Sequence, residues 1–488
     1  MLFNSYIFVL LFLPLAVAGY YAINRLKQYR AANVFLIGMS LWFYGYFNPS
    51  YLLIICGSIA VNYLVSRGME RWSQNLPAKK AVLILGICVN IAVIFYFKYF
   101  DFFIENVNAV FGSSFELRHI VLPLGISFFT FQQISYLVDS YRGKALKEYT
   151  FDEYALFVTF FPQLIAGPIV LHSEMAPQFR NPENRRIIPE NFAKGLYIFA
   201  LGLFKKVLIA DTFAAAVNFG FGTVETLSSM EAVIVSLSYT FQIFFDFSGY
   251  CDMAIGIGYL FNIELPQNFN SPYKANSIPD FWARWHMSLT RFLRTYIYIP
   301  LGGNRRGKLR TYLNIMIVFL VSGIWHGANW TFVLWGVLHG FLNCLNRLFQ
   351  RDWERLDIPT RRFVTFSLVN GLWILFRADN IGSAALFVKR MFLLSDFSVR
   401  PELYSAFALQ ELELLAGKLP GLHYLASRIT GFHMWFFLAA AFFAVFNFRN
   451  SKEISFRPTA ARSLITVVLL VWSVMSFAGI STFIYFNF

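Results

Sequence analysis

Charged side chains are scarce in this sequence: of 488 residues only 14% are Asp, Glu, Lys or Arg, against 57% hydrophobic, and the mean hydropathy is +0.53. A soluble domain of this length needs a charged, solvated surface, so that class is excluded. Cysteine is scarcer still. Cys56, Cys88, Cys251 and Cys344 stand singly in apolar surroundings, which indicates neither a disulfide framework nor a CxxC metal site, and all four read as small buried hydrophobes. Acidic residues number 27 against 41 basic, leaving a net charge of +14. In a soluble chain that excess would suggest nucleic acid. Here the basic residues fall in short loops between apolar runs, as membrane orientation demands, and no nucleic-acid partner is expected.

Familiar catalytic signatures are missing too. There is no GxSxG elbow, and none of the seven histidines is followed by Asp at HxxxxD spacing, which disfavours a serine hydrolase or a glycerolipid-type acyltransferase. No HxxxH or HExxH spacing occurs, so no metal site is expected. The stretch "GGNRRGK" (302–308) matches GxxxxGK, but Leu309 stands where a P-loop needs Ser or Thr, and no strand precedes it. No repeat of 20 to 50 residues and no low-complexity linker divides the chain, so 1–488 reads as a single membrane domain.

What is present is a succession of apolar runs, near 5–24, 32–47, 50–66, 80–100, 119–138, 151–170, 193–220, 231–261, 311–326, 329–347, 363–377, 432–448 and 463–484. Many are long enough to cross about 30 Å of hydrocarbon, so the class is a polytopic all-α membrane protein. The first run has no basic segment before it and no small-residue cleavage site, and is expected to be a retained span rather than a signal peptide. Arg25, Lys27 and Arg30 follow that run, and Arg67, Arg71, Lys79 and Lys80 follow the third. Both loops are therefore expected in the cytoplasm, with 302–310, 347–362 and 449–462, and both termini outside. "VLPLGISF" (121–128) and "FFPQLIAGPI" (160–169) carry Pro and Gly within apolar sequence, which suits broken or re-entrant segments beside a protein-buried cavity.

Polar residues inside these runs are the candidates for chemistry. The densest stretch, "FWARWHMSLTRFLRTYIYIPLGGNRRGKLR" (281–310), interleaves Arg284, His286, Arg291 and Arg294 with Trp and Tyr and ends in Arg305 and Arg306. As a helix it would be amphipathic and basic, lying at the cytoplasmic interface, and it could also dock a polyanionic donor such as the phosphates of coenzyme A. His119, His172, His423 and His433 lie near run ends, where structural roles suffice. His286, His326 and His339 have aromatic or small neighbours on both sides, in "RWHMS", "IWHGAN" and "VLHGF". Gly327 and Asn329 can break a helix after His326 and make room beside its ring, although a hydrogen-bonded core histidine would have the same spacing. Gln242, Asp246 and Gly249 fall at i, i+4 and i+7, on one helical face, and Asp211 has Lys205 and Lys206 as local partners. Such carboxylates suit either a functional relay or an ion pair that holds helices together.

Six stretches carry a family resemblance: "LPLGISFFTFQQISYLVDSYRG", "FFPQLIAGPI", "FDFSGYCDMAIG", "NFNSPY", "FWARWHMSLTRFLRTYIYIPLGGNRRG" and "SGIWHGANWTFVLWGVLHG". In this order they resemble the membrane-bound O-acyltransferase superfamily, and within it the bacterial alginate O-acetyltransferase branch. The resemblance implies a ring of about 11–13 tilted and re-entrant helices around a central tunnel open to both faces. His326 matches the invariant histidine of the superfamily, and His286 a second characteristic position that is Asn or Asp in many lipid-modifying relatives. His326 would be the general base and His286 an oxyanion donor, with His339, Asp246, Asp211, Gln242, Asn329 and Trp325 lining the tunnel or supporting it. Arg284, Arg291, Arg294, Arg305 and Arg306 would hold the donor.

The implied donor is a cytosolic acyl thioester, acetyl-CoA, used as a substrate with no permanently bound cofactor. The implied partners are membrane lipid and a separate extracytoplasmic O-acetyltransferase, and the implied setting is the bacterial inner membrane. "FIYFNF" (483–488) resembles an aromatic terminal motif of the same branch, and its Tyr485 is a candidate acyl relay, with a buried anchoring tyrosine as the alternative. Two rivals stay open at this point: a D-alanyl exporter for teichoic acid using a carrier-protein thioester, and a proton-coupled transporter using Asp246, Asp211 and the histidines.

Overall fold

The computed structural model describes residues 1–144, 150–394, 396–408, 418, 428–448, 450, 451, 453, 456–477 and 483–487, so His423 lies outside the described residues. No strand occurs among them. In chain order the helices are α1 (Leu13–Arg25), α2 (Tyr29–Gly45), α3 (Ser50–Arg71), α4 (Leu76–Ile94), α5 (Phe100–Phe111), α6 (Ile126–Tyr141), α7 (Phe151–Thr159), α8 (Phe161–Leu164), α9 (His172–Arg180), α10 (Pro189–Phe204) and α11 (Asp211–Gly222). Then follow α12 (Ser229–Leu260), α13 (Ile278–Arg284), α14 (Met287–Leu293), α15 (Lys308–His326), α16 (Trp330–Leu348), α17 (Gln350–Arg355), α18 (Ile358–Arg377), α19 (Ile381–Phe392), α20 (Pro401–Ser405), α21 (Phe432–Asn447) and α22 (Ala460–Met475).

Five helical stretches among the described residues are long and apolar enough to cross a membrane, so the chain is a multi-pass membrane protein. They are not equivalent. The Ser229–Leu260 stretch is the buried mast of the molecule, whereas Leu76–Phe111 keeps most of its surface outward. Glycine explains how α10 packs so closely on α12. A Cβ on Gly202 would sit 2.6 Å from the carbonyl oxygen of Gly249, and one on Gly195 would sit 2.7 Å from that of Gly256. Two glycines seven residues apart on each helix thus bring the backbones together, the small-residue packing that substitutes in lipid for a hydrophobic drive.

The two ends of the bundle can be told apart by their contacts. Tyr21 donates to the Leu260 carbonyl, Asn262 to that of Arg186, and Trp353 to that of Asn276, gathering the ends of α1 and α12 with the arginine-rich 347–362 loop on one basic face. At the other end, Ser229 donates to the Asp396 carbonyl and Asn329 to that of Asp379. From Lys308, α15 runs away from the basic face and carries His326 about 27 Å along its axis.

Several expectations are corrected. The 281–310 stretch is not one interfacial amphipathic helix. It breaks at His286, whose φ of 46° is left-handed, and it buries Trp282, Trp285, Leu289 and Phe292. Residues 119–125 are not helical either. Gly125 takes φ 73°, and a Cβ there would press on the backbone of Leu164 and Ile165, so the two Pro/Gly-broken stretches pack on each other. Amphipathic α19 lies in a segment where no helix was expected, and α4 continues through a π-helical turn (Phe95–Tyr99) into α5. Cys56 and Cys88 are exposed on the apolar exterior rather than buried.

Candidate active site

His326 is the last residue of α15, at the tip of a tight hairpin with α16. Gly323 and Gly336 permit it: a Cβ on either would come within 2.4 Å of a carbonyl oxygen of the other helix. A helix that ends inside apolar surroundings leaves carbonyls to satisfy. Lys98 donates to those of Trp325 (2.8 Å) and His326 (3.0 Å), and the Tyr99 hydroxyl to that of Ile324 (2.8 Å). A cation is thereby set against the negative end of the α15 dipole, which fixes where the histidine stands. Lys98 is a site residue the sequence reading missed. Its signal was there, as a lone lysine in "FYFKYFDFF", because an intramembrane cation calls for a partner.

His286 comes from the opposite direction. Its strained backbone is held by the loop after α12: the Met287 N–H donates to the Asn268 carbonyl (3.0 Å), and the Ser288 N–H (3.1 Å) and hydroxyl (2.6 Å) donate to the Asn268 side chain. A non-glycine residue at positive φ costs about 1 kcal/mol or more and persists only where its surroundings over-determine it. The result is an imidazole with no exposed surface, its centroid 6.4 Å from that of His326.

Tyr485, in the short 3₁₀ turn Ile484–Asn487, completes a triangle. Its ring lies 5.9 Å from His326 and 6.3 Å from His286. Asp246 holds it there, accepting from the Ile484 N–H at 2.7 Å, while Phe483 stacks on Tyr250 at 4.5 Å and Tyr485 packs on Phe247 at 4.5 Å. Lys206 bridges Asp246 (3.0 Å) and Asp211 (2.8 Å). These carboxylates therefore form an ion-paired clamp for the C-terminal turn, one of the two roles the sequence left open, and Lys206 rather than Lys205 is the partner.

The other predicted residues separate into those near the site and those with different work. Trp325 packs on both histidine rings and stacks on Phe131. His339 is one layer back: it accepts from the Trp282 Nε1–H at 3.2 Å, and Trp335 lies between it and His326. Gln242 sits one turn before Asp246 on α12. Asn329 has a structural task beside the site. Its carboxamide caps α16, accepting from the Thr331 N–H and donating to the Asp379 carbonyl. Arg284 is paired with Asp280 at 2.7 Å, and Arg291 grips Glu174 through both ends of its guanidinium (Nη2 at 2.9 Å) and the Ile169 carbonyl. Both arginines fasten elements together rather than standing open as anion cradles. Arg294, Arg305 and Arg306 are exposed, with no carboxylate within 4 Å among the described residues. His172 is buried beside Asp139 (3.5 Å), which also accepts from Tyr296 (2.7 Å), in keeping with a structural role.

At this site both nitrogens of His286, Nδ1 of His326 and Nε2 of His339 are buried without a hydrogen-bond partner among the described residues. Buried polar atoms are almost always paired, so a cluster of exceptions calls for an explanation such as a catalytic role. One cavity is lined by the cluster itself and a second by the residues that follow His286. A narrow one of about 30 Å³ is lined by His326, Tyr485, Lys98, Phe128 and the Pro123–Gly125 turn. A wider polar one of about 480 Å³ is lined by Glu174, Gln267, Met287, Ser288 and Arg291. Two imidazoles and a phenol brought together in a low-dielectric setting can move a proton between a hydroxyl and a leaving group and can donate to a developing oxyanion.

Comparison with known proteins gives the family. The sequence profile of the MBOAT, membrane-bound O-acyltransferase family matches residues 144–376, which include both histidines. The peptidoglycan O-acetyltransferase of Helicobacter pylori is 45% identical over 428 residues, covering 82% of this chain and 81% of that protein. The probable alginate O-acetylase of Pseudomonas aeruginosa is 39% identical over 397 residues, 80% of this chain and 75% of that one. The teichoic acid D-alanyltransferase of Streptococcus thermophilus is more distant, 30% identical over 264 residues and 51% of this chain. The chain belongs to the membrane-bound O-acyltransferase family and is an O-acyltransferase.

Proposed function

We propose that this protein moves an acetyl group from cytosolic acetyl-CoA through the bacterial inner membrane to an extracytoplasmic acceptor, for O-acetylation of a cell-wall glycan. The observation that carries the reading is the convergence of His326, His286 and Tyr485 on buried, unpartnered imidazole nitrogens. The 45% identity to a peptidoglycan O-acetyltransferase favours peptidoglycan over alginate as the polymer.

The thioester enters from the basic face, its phosphates met by Arg294, Arg305 and Arg306. A hydroxyl oxygen attacks the thioester carbonyl carbon as His326 takes its proton. Imidazole N–H of His286 donates to the carbonyl oxygen as negative charge builds there. The C–S bond then breaks, and the proton on His326 passes to the departing thiolate. Tyr485 supplies the first hydroxyl and becomes an acetyl ester, which a partner O-acetyltransferase on the far side transfers to the glycan. The narrow cavity shared by His326 and Tyr485, at the end of α15 remote from the basic face, supports that direction of travel.

Teichoic acid D-alanylation is the weaker reading, since those relatives align with only half of the chain. Proton-coupled transport loses its main support because Asp246 and Asp211 are paired with Lys206. Mass analysis of cell-surface polymers decides the matter. Cells carrying His326→Ala should lose glycan O-acetyl groups, and unchanged O-acetylation in those cells would sink the proposal.

A further inference from the structure

A groove of about 910 Å³, lined by none of the histidines, lies between α1, α10 and α22. Its walls are apolar, built from Val9, Leu13 and Val17 on one side, Leu196 and Phe199 on the other, and Leu470 on α22. Its mouth is not. Arg25, Lys27, Arg185 and Arg186 line it, and no Asp or Glu does among the described residues. Arg186 is paired with Glu183 just outside, but Arg185 bonds only to neutral groups, the Asn24 side chain and the Tyr29 and Phe179 carbonyls. Arg25 and Lys27 are exposed, with no carboxylate within 4 Å among the described residues.

Length and polarity fit one kind of occupant. From Leu13 to Arg25 the helix rises about 18 Å, slightly more than the roughly 15 Å hydrocarbon depth of one leaflet. A groove that is apolar for one leaflet and cationic where that leaflet ends matches a molecule with acyl chains and an anionic head. A free phosphate would leave the apolar walls unused. A zwitterionic lipid would carry a positive group into a mouth that already holds four cations. Each Lys or Arg near an anionic membrane surface adds to the attraction, so even two of them set a selectivity of about tenfold or more.

We infer that this groove is a binding site for an anionic glycerophospholipid, its headgroup at Arg25 and Lys27 and its chains along α1 and α10. Neither the histidines nor Tyr485 lines this groove. The test uses the full-length protein purified in detergent, supplemented with phosphatidylglycerol or phosphatidylcholine of identical chains and read by native mass spectrometry and thermal unfolding. Phosphatidylglycerol should be retained about tenfold better and should raise Tm more than phosphatidylcholine. The double variant Arg25→Glu with Lys27→Glu should lose that preference. Val17→Trp, which fills the groove without touching its charge, should shed both lipids while keeping the wild-type far-UV circular dichroism. Equal retention of the two lipids by the wild type would overturn the proposal. So would a preference that survives in a folded charge-reversed variant, the same Tm shift with glycerol 3-phosphate alone, or a co-purifying partner helix in the groove in place of lipid.

Discussion

The ring of Tyr485 lies 5.9 Å from the imidazole of His326. One residue belongs to the C-terminal turn and the other ends α15, and nothing in the sequence between them announces the contact. It arises because Asp246, deep in α12, accepts the Ile484 N–H. A phenol ring is thereby held beside the candidate base.

Tyr485→Phe separates an acyl relay from a buried anchor. The phenyl ring keeps its packing on Phe247 and Phe483 and loses only the hydroxyl. We expect wild-type expression and thermal stability with glycan O-acetylation down by about a hundredfold or more, a loss of the size that removing a reacting group produces. Mass analysis of the polymer checks this, and full O-acetylation would reduce Tyr485 to an anchor.

Asp246→Asn tests the clamp. Breaking a buried ion pair costs about 3–5 kcal/mol, because the charge left behind is uncompensated; here Asp211 still pairs Lys206, so we expect about 2–3 kcal/mol. The loss should appear locally as faster hydrogen exchange in residues 483–487. Undiminished protection there would mean that Asp246 does not hold the turn.

Gly202→Ala probes the seam that fixes α12. The new methyl would meet the Gly249 carbonyl oxygen at 2.6 Å and the Met253 amide nitrogen at 2.6 Å, and neither backbone atom can rotate away. We expect about 1–3 kcal/mol of destabilisation, the usual cost of overpacking, and a lower Tm. Gly222→Ala, with open space around it, should leave Tm within about 1 °C of wild type.

Much of this was legible in the sequence. His326 and His286 stand out by their apolar settings, and the Pro and Gly breaks at 121–128 and 160–169 mark the cavity that Pro123, Gly125 and Ile165 line. Other features follow from tertiary contacts alone. The amphipathic pattern of 281–310 suggested one interfacial helix, yet Asn268 supplies hydrogen bonds that stabilise a left-handed His286, and side-chain periodicity carries no record of a distant carboxamide. Arg284 and Arg291 suit phosphate by charge alone, but carboxylates compete for them: Asp280 within a helical turn and Glu174 far away in sequence. The capping role of Asn329 is hidden for a related reason, since an N-cap and a ligand contact need the same polar side chain.

Acid should loosen α9, which carries Glu174 to Arg291. Burial alone would raise the Glu153 carboxyl, but the Arg180 guanidinium and the Thr150 N–H outweigh it and hold it below the ordinary glutamate range. A depressed folded-state value contributes stability that is full above the unfolded value of about 4.3 and is lost as pH falls through the folded one. Between pH 7 and pH 3 the wild type should therefore lose about 0.5–1 kcal/mol more than Glu153→Gln, an amount typical of a partly exposed pair. Parallel Tm profiles for the two proteins would count against the assignment.

The most direct test of the central claim is thiol release from acetyl-CoA by purified protein, wild type against His326→Ala, with donor binding measured alongside. A general base contributes about 10² to 10⁴ in rate. The wild type should release coenzyme A thiol with transfer of the acetyl group, and His326→Ala should bind the donor as tightly while its rate falls by that factor. A variant that releases thiol within about twofold of wild type, in a range where mutational noise alone operates, would contradict the account.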